Sequence, residues 1–200
     1  MNLRNGKDRG RRRVFGERGG SAVEAALVTP VVMALLFGIV EMGFLFKDYL
    51  AVAGAVRAGV RIASANPRNA TFAQTAADKV ARTGGAANLS DVTELWVYKV
   101  SAGTDKPVGF TTFADCTVCV KFRWDGAKFV LKTGGGESWP ATSQNACSST
   151  SVGGPPDRIG VYLKLKHDPF TGLVFSDSIY VSEASILTLE PMPVSGGCKP

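Results

Sequence analysis

From Ala25 to Phe46 the chain runs for 22 residues with Glu41 as its only ionisable side chain. A helix needs about 20 apolar residues to cross the hydrocarbon core of a bilayer, so the run reads as a membrane-spanning helix. That assignment divides the rest of the chain. Before the run stands a short basic tail, and after it stands everything that can fold. Glu24 sits at the start of the run, on the Gly19 side. A carboxylate at bilayer depth costs roughly 2.5–3.5 kcal/mol on insertion scales, so an acid in this position is expected to have a role. Glu41 lies toward the other end, near Lys47. There its side chain is expected to reach the interface as a solvated or paired acid, and no role is assigned to it.

The wording around Glu24 is specific. The chain reads Arg18-Gly19-Gly20-Ser21-Ala22-Val23-Glu24-Ala25-Ala26-Leu27-Val28-Thr29-Pro30, and after the apolar run Ala55-Val56-Arg57-Ala58-Gly59-Val60-Arg61-Ile62-Ala63. A glycine followed at the fifth position by a glutamate that opens an apolar helix is similar to the cleavage site of type IV prepilins. Together with the second segment, residues 18 to 65 resemble the TadE-like family, and Leu187-Thr188-Leu189-Glu190-Pro191 repeats the likeness weakly. The resemblance implies a minor pseudopilin of a tight-adherence (Flp-type) pilus. A prepilin peptidase would cut between Gly19 and Gly20, and Glu24 would act in assembly. The implied partners are that peptidase, other pilins and pseudopilins, the assembly machinery and the membrane. The chain departs from the major Flp pilins, which are much shorter and place a tyrosine after the glutamate where Ala25 stands here; the departure points to an accessory subunit.

Charge agrees with a tail that stays behind. Residues 1–19 carry seven cations against Asp8 and Glu17, hence five of the six net positive charges of the chain. Cations directly before an apolar run are held on the cytoplasmic side, which puts the C-terminal part outside the cytoplasm. Nucleic acid is not an expected partner, because only Phe15 interleaves with the cations and no folded basic face can be built from the tail. The tail is without periodicity and reads as a disordered leader. Three segments follow: a leader over 1–19, a transmembrane and pilin-like helix over 20–66, and an extracytoplasmic domain over 67–200. About 130 residues suffice for one core of their own.

A cleavable secretory signal is the rival reading, since Ala51-Val52-Ala53 and Ala63-Ser64-Ala65 have the A-x-A form. Its apolar region is roughly 7–15 residues, however, and this run is longer. A second rival is a single-pass envelope anchor that never polymerises.

Beyond Phe46 the helical pattern continues. Ala51, Ala55, Gly59 and Ala63 recur every fourth residue with Arg57 and Arg61 beside them. One small-residue stripe results, which either packs on the chain's own domain or meets neighbouring helices, as Ala34 and Gly38 could within the membrane. Pro30 removes a hydrogen bond early in the helix, where a bend is expected. Asn66-Pro67 ends it. Phe72, Ala76 and Val80 predict a second helix over 71–83, capped by Asn69 or Thr71 and stopped by Gly84-Gly85. Five strands are expected at Leu95–Val100, Val118–Trp124, Lys128–Leu131, Ile159–Leu165 and Ile179–Leu189, with Asp125-Gly126 as a hairpin turn and Gly134–Pro156 as a long loop. The fold class is α+β: a small antiparallel sheet packed against the long helix.

All four cysteines, Cys116, Cys119, Cys147 and Cys198, follow the apolar run, and export favours disulfides. Within a strand, residues three apart stand about 10 Å apart on opposite faces, so Cys116 and Cys119 are expected to pair elsewhere rather than with each other. No metal site is expected, for there is no second CxxC and His167 is the only histidine. His167, followed by Asp168 and Pro169, is expected in a surface turn. No catalytic motif stands out: there is no GxSxG, and Thr133-Gly134-Gly135-Gly136-Glu137 lacks the lysine of a phosphate loop. The reading is of a non-enzyme without a cofactor. Trp139 is expected either at a contact surface or in the core.

Overall fold

The computed structural model describes residues 17–113, 115–132, 138–148, 154–172 and 174–193. The leader up to residue 16, parts of the Gly134–Pro156 loop and Cys198 lie outside the described residues. Helix α1, Glu17–Ser64, has 48 residues, so it extends about 72 Å at 1.5 Å per residue. It runs through Pro30, and one turn below the site of the missing N–H the hydroxyl of Thr29 donates to the carbonyl of Ala25 at 2.6 Å. The two halves of α1 have different surroundings. From Gly19 to Phe37 every residue is exposed, including Leu27, Val31, Leu35 and Phe37, and the first buried residue is Glu41. From Ala51 onward Val52, Ala55, Val56, Val60 and Ala63 are buried. The same rod is a bare stem at one end and a core helix at the other.

Helix α2, Phe72–Thr83, follows the stop at Asn66-Pro67. Thr71 holds the N-cap position without a capping side-chain bond; instead the Asn69 Oδ1 accepts from the Thr71 amide and hydroxyl at 2.8 and 2.9 Å and turns the chain into the helix. Its apolar face, Phe72, Ala73, Ala76, Ala77 and Val80, is buried against α1 and the sheet. The small-residue stripe of α1 makes this approach possible: a Cβ on Gly59 would lie 2.6 Å from Val80 Cγ2. Of the two expected uses of that stripe, packing on the chain's own domain is the one found.

The sheet has five strands, β1 Val92–Lys99, β2 Cys119–Trp124, β3 Phe129–Leu131, β4 Arg158–His167 and β5 Ile179–Thr188. Their order is β3-β2-β1-β4-β5 and every pairing is antiparallel. Alternation sorts the side chains by face. Leu95 and Val97, with Ile159, Val161, Leu163 and Leu165 of β4, join the helices in the main core, where Trp139 also lies buried, edge-on to Phe72 at 5.5 Å. Trp96, Tyr98 and Tyr162 face the other way and form a second cluster with Cys116, Cys119 and Phe113, whose ring stacks on Tyr162 at 4.4 Å. A sheet covered on one face only is therefore not what forms; the segment between β1 and β2 folds back over the far face. Gly160 lies beneath Tyr98, its cross-strand partner, and a Cβ there would stand 2.2 Å from the Tyr98 ring. At the β2–β3 hairpin, Asp125 Oδ1 accepts from the Lys128 and Ala127 amides at 2.8 and 2.9 Å, which holds its carboxyl below the usual range, while Gly126 supplies a φ of 107°.

Two expectations are corrected here. Cys116 and Cys119 are bonded to each other, with their Cα atoms 6.0 Å apart. The 10 Å separation assumed both residues in one strand, but β2 begins at Cys119 and the backbone through Thr117 and Val118 is bent rather than extended. Asp115 helps to make that bend: its Oδ1 accepts from the Cys116 amide at 2.8 Å and the Lys121 ammonium at 2.6 Å. The Lys121 bond first, and the amide next, keep the Asp115 carboxyl below its ordinary range. Cys147 is also disulfide-bonded. The second correction concerns His167, which is not in a surface turn but is the last residue of β4 and 5% exposed.

Candidate functional site

Gly19, Gly20 and Glu24 occupy the first turns of α1, on the bare stem. Among the described residues, and apart from the helix's own neighbouring backbone, no atom comes within 4 Å of a Cβ built on either glycine, and both are exposed. Glu24 is exposed and makes no hydrogen bond or ion pair with any described residue. None of the described residues outside α1 reaches this end of the helix. Cys116 and Cys119 belong instead to the far face of the sheet. Among the described residues no group of three or more His, Cys, Asp and Glu is placed to hold a metal ion.

A second constellation forms where the stem enters the domain. Gly38, Glu41, Phe44 and Asp48 are spaced by three or four residues and so lie along one stripe of α1. The loop between β4 and β5 lies against that stripe. Val174 Cγ2 is 3.6 Å from where a Gly38 Cβ would be, Phe170 stands 5.9 Å from Phe44 between ring centroids, and His167 Nδ1 is 2.7 Å from Asp48 Oδ2. Glu41 is fully buried in this collar. Its Oε2 accepts from the Thr171 hydroxyl at 2.6 Å and the Val174 amide at 3.4 Å, whereas Oε1 has no partner among the described residues. Of the expected solvated or paired acid, the paired alternative is found, but by donors that cover Glu41 in place rather than by an outward reach to the interface. The physical reason is that a carboxylate in an apolar run needs donors, and the loop brings them to it.

The neck of the loop is polar. Ser178 Oγ donates to Asp168 Oδ1 at 2.5 Å and Lys166 Nζ lies 2.9 Å from the same oxygen, so the chain is tied where it leaves β4 and enters β5. The Ser178 bond, followed by Lys166, holds the Asp168 carboxyl below its usual range; the same contact raises Lys166. Away from the neck the loop is apolar and open: Phe170 is 74% exposed and Val174 45%. Beside it on the surface lie the exposed rings of Phe46, Tyr49 and Tyr180.

This collar was missed by sequence reasoning; the one signal that could have pointed to it is the pair of acids within and just after the apolar run, Glu41 and Asp48. Their partners were not visible, because Thr171 and His167 come more than a hundred residues later and their segment has no periodicity of its own.

Residues 19–61 match the family model described as TadE-like protein. This is the family that the wording of residues 18 to 65 resembles, and the match covers the bare stem and most of its buried continuation while stopping before α2. No curated protein and no solved structure matches the chain.

Proposed function

We propose that this chain is a minor pseudopilin of a tight-adherence pilus, held in the membrane by the stem of α1 and drawn into pilus assembly after a prepilin peptidase removes the leader at Gly19. The observation that carries the reading is the division of α1. An apolar helix that no described residue covers from Gly19 to Phe37, in a chain whose domain is otherwise well packed, needs another apolar environment for that stretch. A bilayer supplies it before assembly and neighbouring helices supply it afterwards. The TadE-like match over 19–61 supports a pilus-associated role for that helix. The basic tail favours a cytoplasmic N-terminus and an extracytoplasmic domain.

Core packing speaks against the secretory rival. Cleavage near Gly54 would remove Ala51, Val52 and Ala53 from the buried set, and cleavage near Asn66 would remove in addition Ala55, Val56, Val60 and Ala63. The first cut would take Ala51 and Val52 from the main core, and the second would strip that core of the whole helix. Gly19 and Gly20 are open to a protease, and Glu24 has no partner among the described residues, so it is free to meet the new Gly20 amine of a neighbouring subunit in an apolar filament core. We assign the protein no catalytic activity, metal or cofactor.

Sequencing of the mature N-terminus from membrane fractions tests the reading. A pseudopilin begins at Gly20, an unprocessed envelope anchor at Met1, and a secreted protein near Gly54 or Asn66.

A further inference from the structure

We propose that the loop between β4 and β5 is itself a lipid-binding element that enters the outer leaflet beside α1. The inference rests on the reading of α1 as membrane-spanning and adds a second contact between the domain and the bilayer. Three observations lead to it.

Position comes first. The loop is clasped to Gly38, Glu41 and Phe44, all of them inside the apolar run Ala25–Phe46. Gly38 lies about 12 Å along the helix axis from Phe46, and half of a hydrocarbon core is about 15 Å, so a helix that spans with this run carries Val174 into the outer leaflet. Chemistry comes second. The surface offered there is apolar, with Phe170 and Val174 open and no ion pair between the neck at Asp168–Ser178 and the tip among the described residues, while the exposed tyrosines Tyr49 and Tyr180 stand where amphipathic rings favour the headgroup level. Glu41 comes third. At this depth a bare carboxylate would face acyl chains, and the loop supplies it with the Thr171 hydroxyl and the Val174 amide. A soluble surface has no need of an open Phe170; a lipid contact explains why the segment that covers Glu41 is apolar on its outer side. The occupant is therefore the phospholipid of the outer leaflet, at the boundary between headgroups and acyl chains.

Tryptophan emission tests this in full-length protein reconstituted in phosphatidylethanolamine–phosphatidylglycerol nanodiscs, with phospholipids brominated near the glycerol end of the acyl chains as quencher for Phe170→Trp and phospholipids brominated near the chain ends as quencher for Leu35→Trp, which lies at the middle of the apolar run. Phe170→Trp and Leu35→Trp are each read as the difference from wild type, which removes the native Trp96, Trp124 and Trp139. The expected result is that the added emission of both variants is blue-shifted and falls at least twofold in brominated lipid. If Leu35→Trp is quenched and Phe170→Trp is red and unquenched, the loop stands in water and the proposal is overturned while the membrane reading stands. Blue but unquenched emission from Phe170→Trp, the signature of cover by a neighbouring protein chain, overturns it too. An unquenched Leu35→Trp removes both.

Discussion

Gly160 is the position at which a single methyl group has the clearest consequence. It lies opposite Tyr98 across β1 and β4, and the ring of Tyr98 is fully enclosed by Phe113 and the strands around it, so it has no room to withdraw. Gly160→Ala is expected to destabilise the domain by about 1–3 kcal/mol, the usual range for overpacking, read as a lower denaturation midpoint of detergent-solubilised protein. An unchanged midpoint would mean that the ring has freedom the packing denies. Glu24 is the contrasting case, a residue with no partner among the described residues. Glu24→Ala should leave folding, leader removal and membrane insertion unchanged but abolish co-purification with the pilus or its assembly partners. Normal incorporation of the variant would reduce Glu24 to a favourable acid at a helix start.

Among the elements, β1 carries the most varied burden, because its two faces belong to two clusters. The face bearing Trp96 and Tyr98 is shut by the segment that the Cys116–Cys119 bond anchors at the start of β2. Burial first, and the Asp105 carboxylate second, raise the Tyr98 hydroxyl above its ordinary value of about 10. The folded state thus holds this proton more tightly than the unfolded chain does. The associated stability is fully present below about pH 10 and declines as pH rises above that value. Tyr98→Phe is expected to flatten the alkaline fall in denaturation midpoint relative to wild type, at small cost near neutrality because the Tyr98 hydroxyl's contact with the Asp105 carbonyl is long, 3.4 Å. Parallel alkaline profiles for the two proteins would show that Tyr98 ionises freely and that the cluster opens locally.

At the scale of the molecule, one helix has two solvents. Its outer half is bound into the core by Val52, Val56 and Val60, its inner half has no cover from the described residues, and the β4–β5 loop marks the change from one regime to the other. On the proposed reading the leader would be removed at Gly19, far along α1 from the buried core residues, so processing and folding should be separable. Gly19→Val is expected to keep the leader attached, seen by mass spectrometry as a product that still contains residues 1–19, with the domain's denaturation midpoint unchanged. If the mature product of Gly19→Val instead starts at Gly20, the assigned cleavage site is wrong.

What the sequence determined by itself was mainly what local periodicity controls. The apolar run, the second helix and all five strands were legible, since each repeats its pattern within ten or twenty residues and the Asn66-Pro67, Gly84-Gly85 and Asp125-Gly126 boundaries are local chemistry. The wording around Gly19 and Glu24 was legible for the same reason: it needs no distant partner. Tertiary structure alone decided the points at which distant segments meet or a short bend departs from its regular neighbours. It buried Glu41 under Thr171, set His167 against Asp48, placed Phe113 over Tyr162 and closed Cys116 on Cys119. The cysteine pairing turned on where β2 begins, a matter of one or two residues that hydrophobic alternation does not resolve. The collar turned on loop closure between segments more than a hundred residues apart, and a polar or irregular loop carries no periodicity from which its docking face can be read.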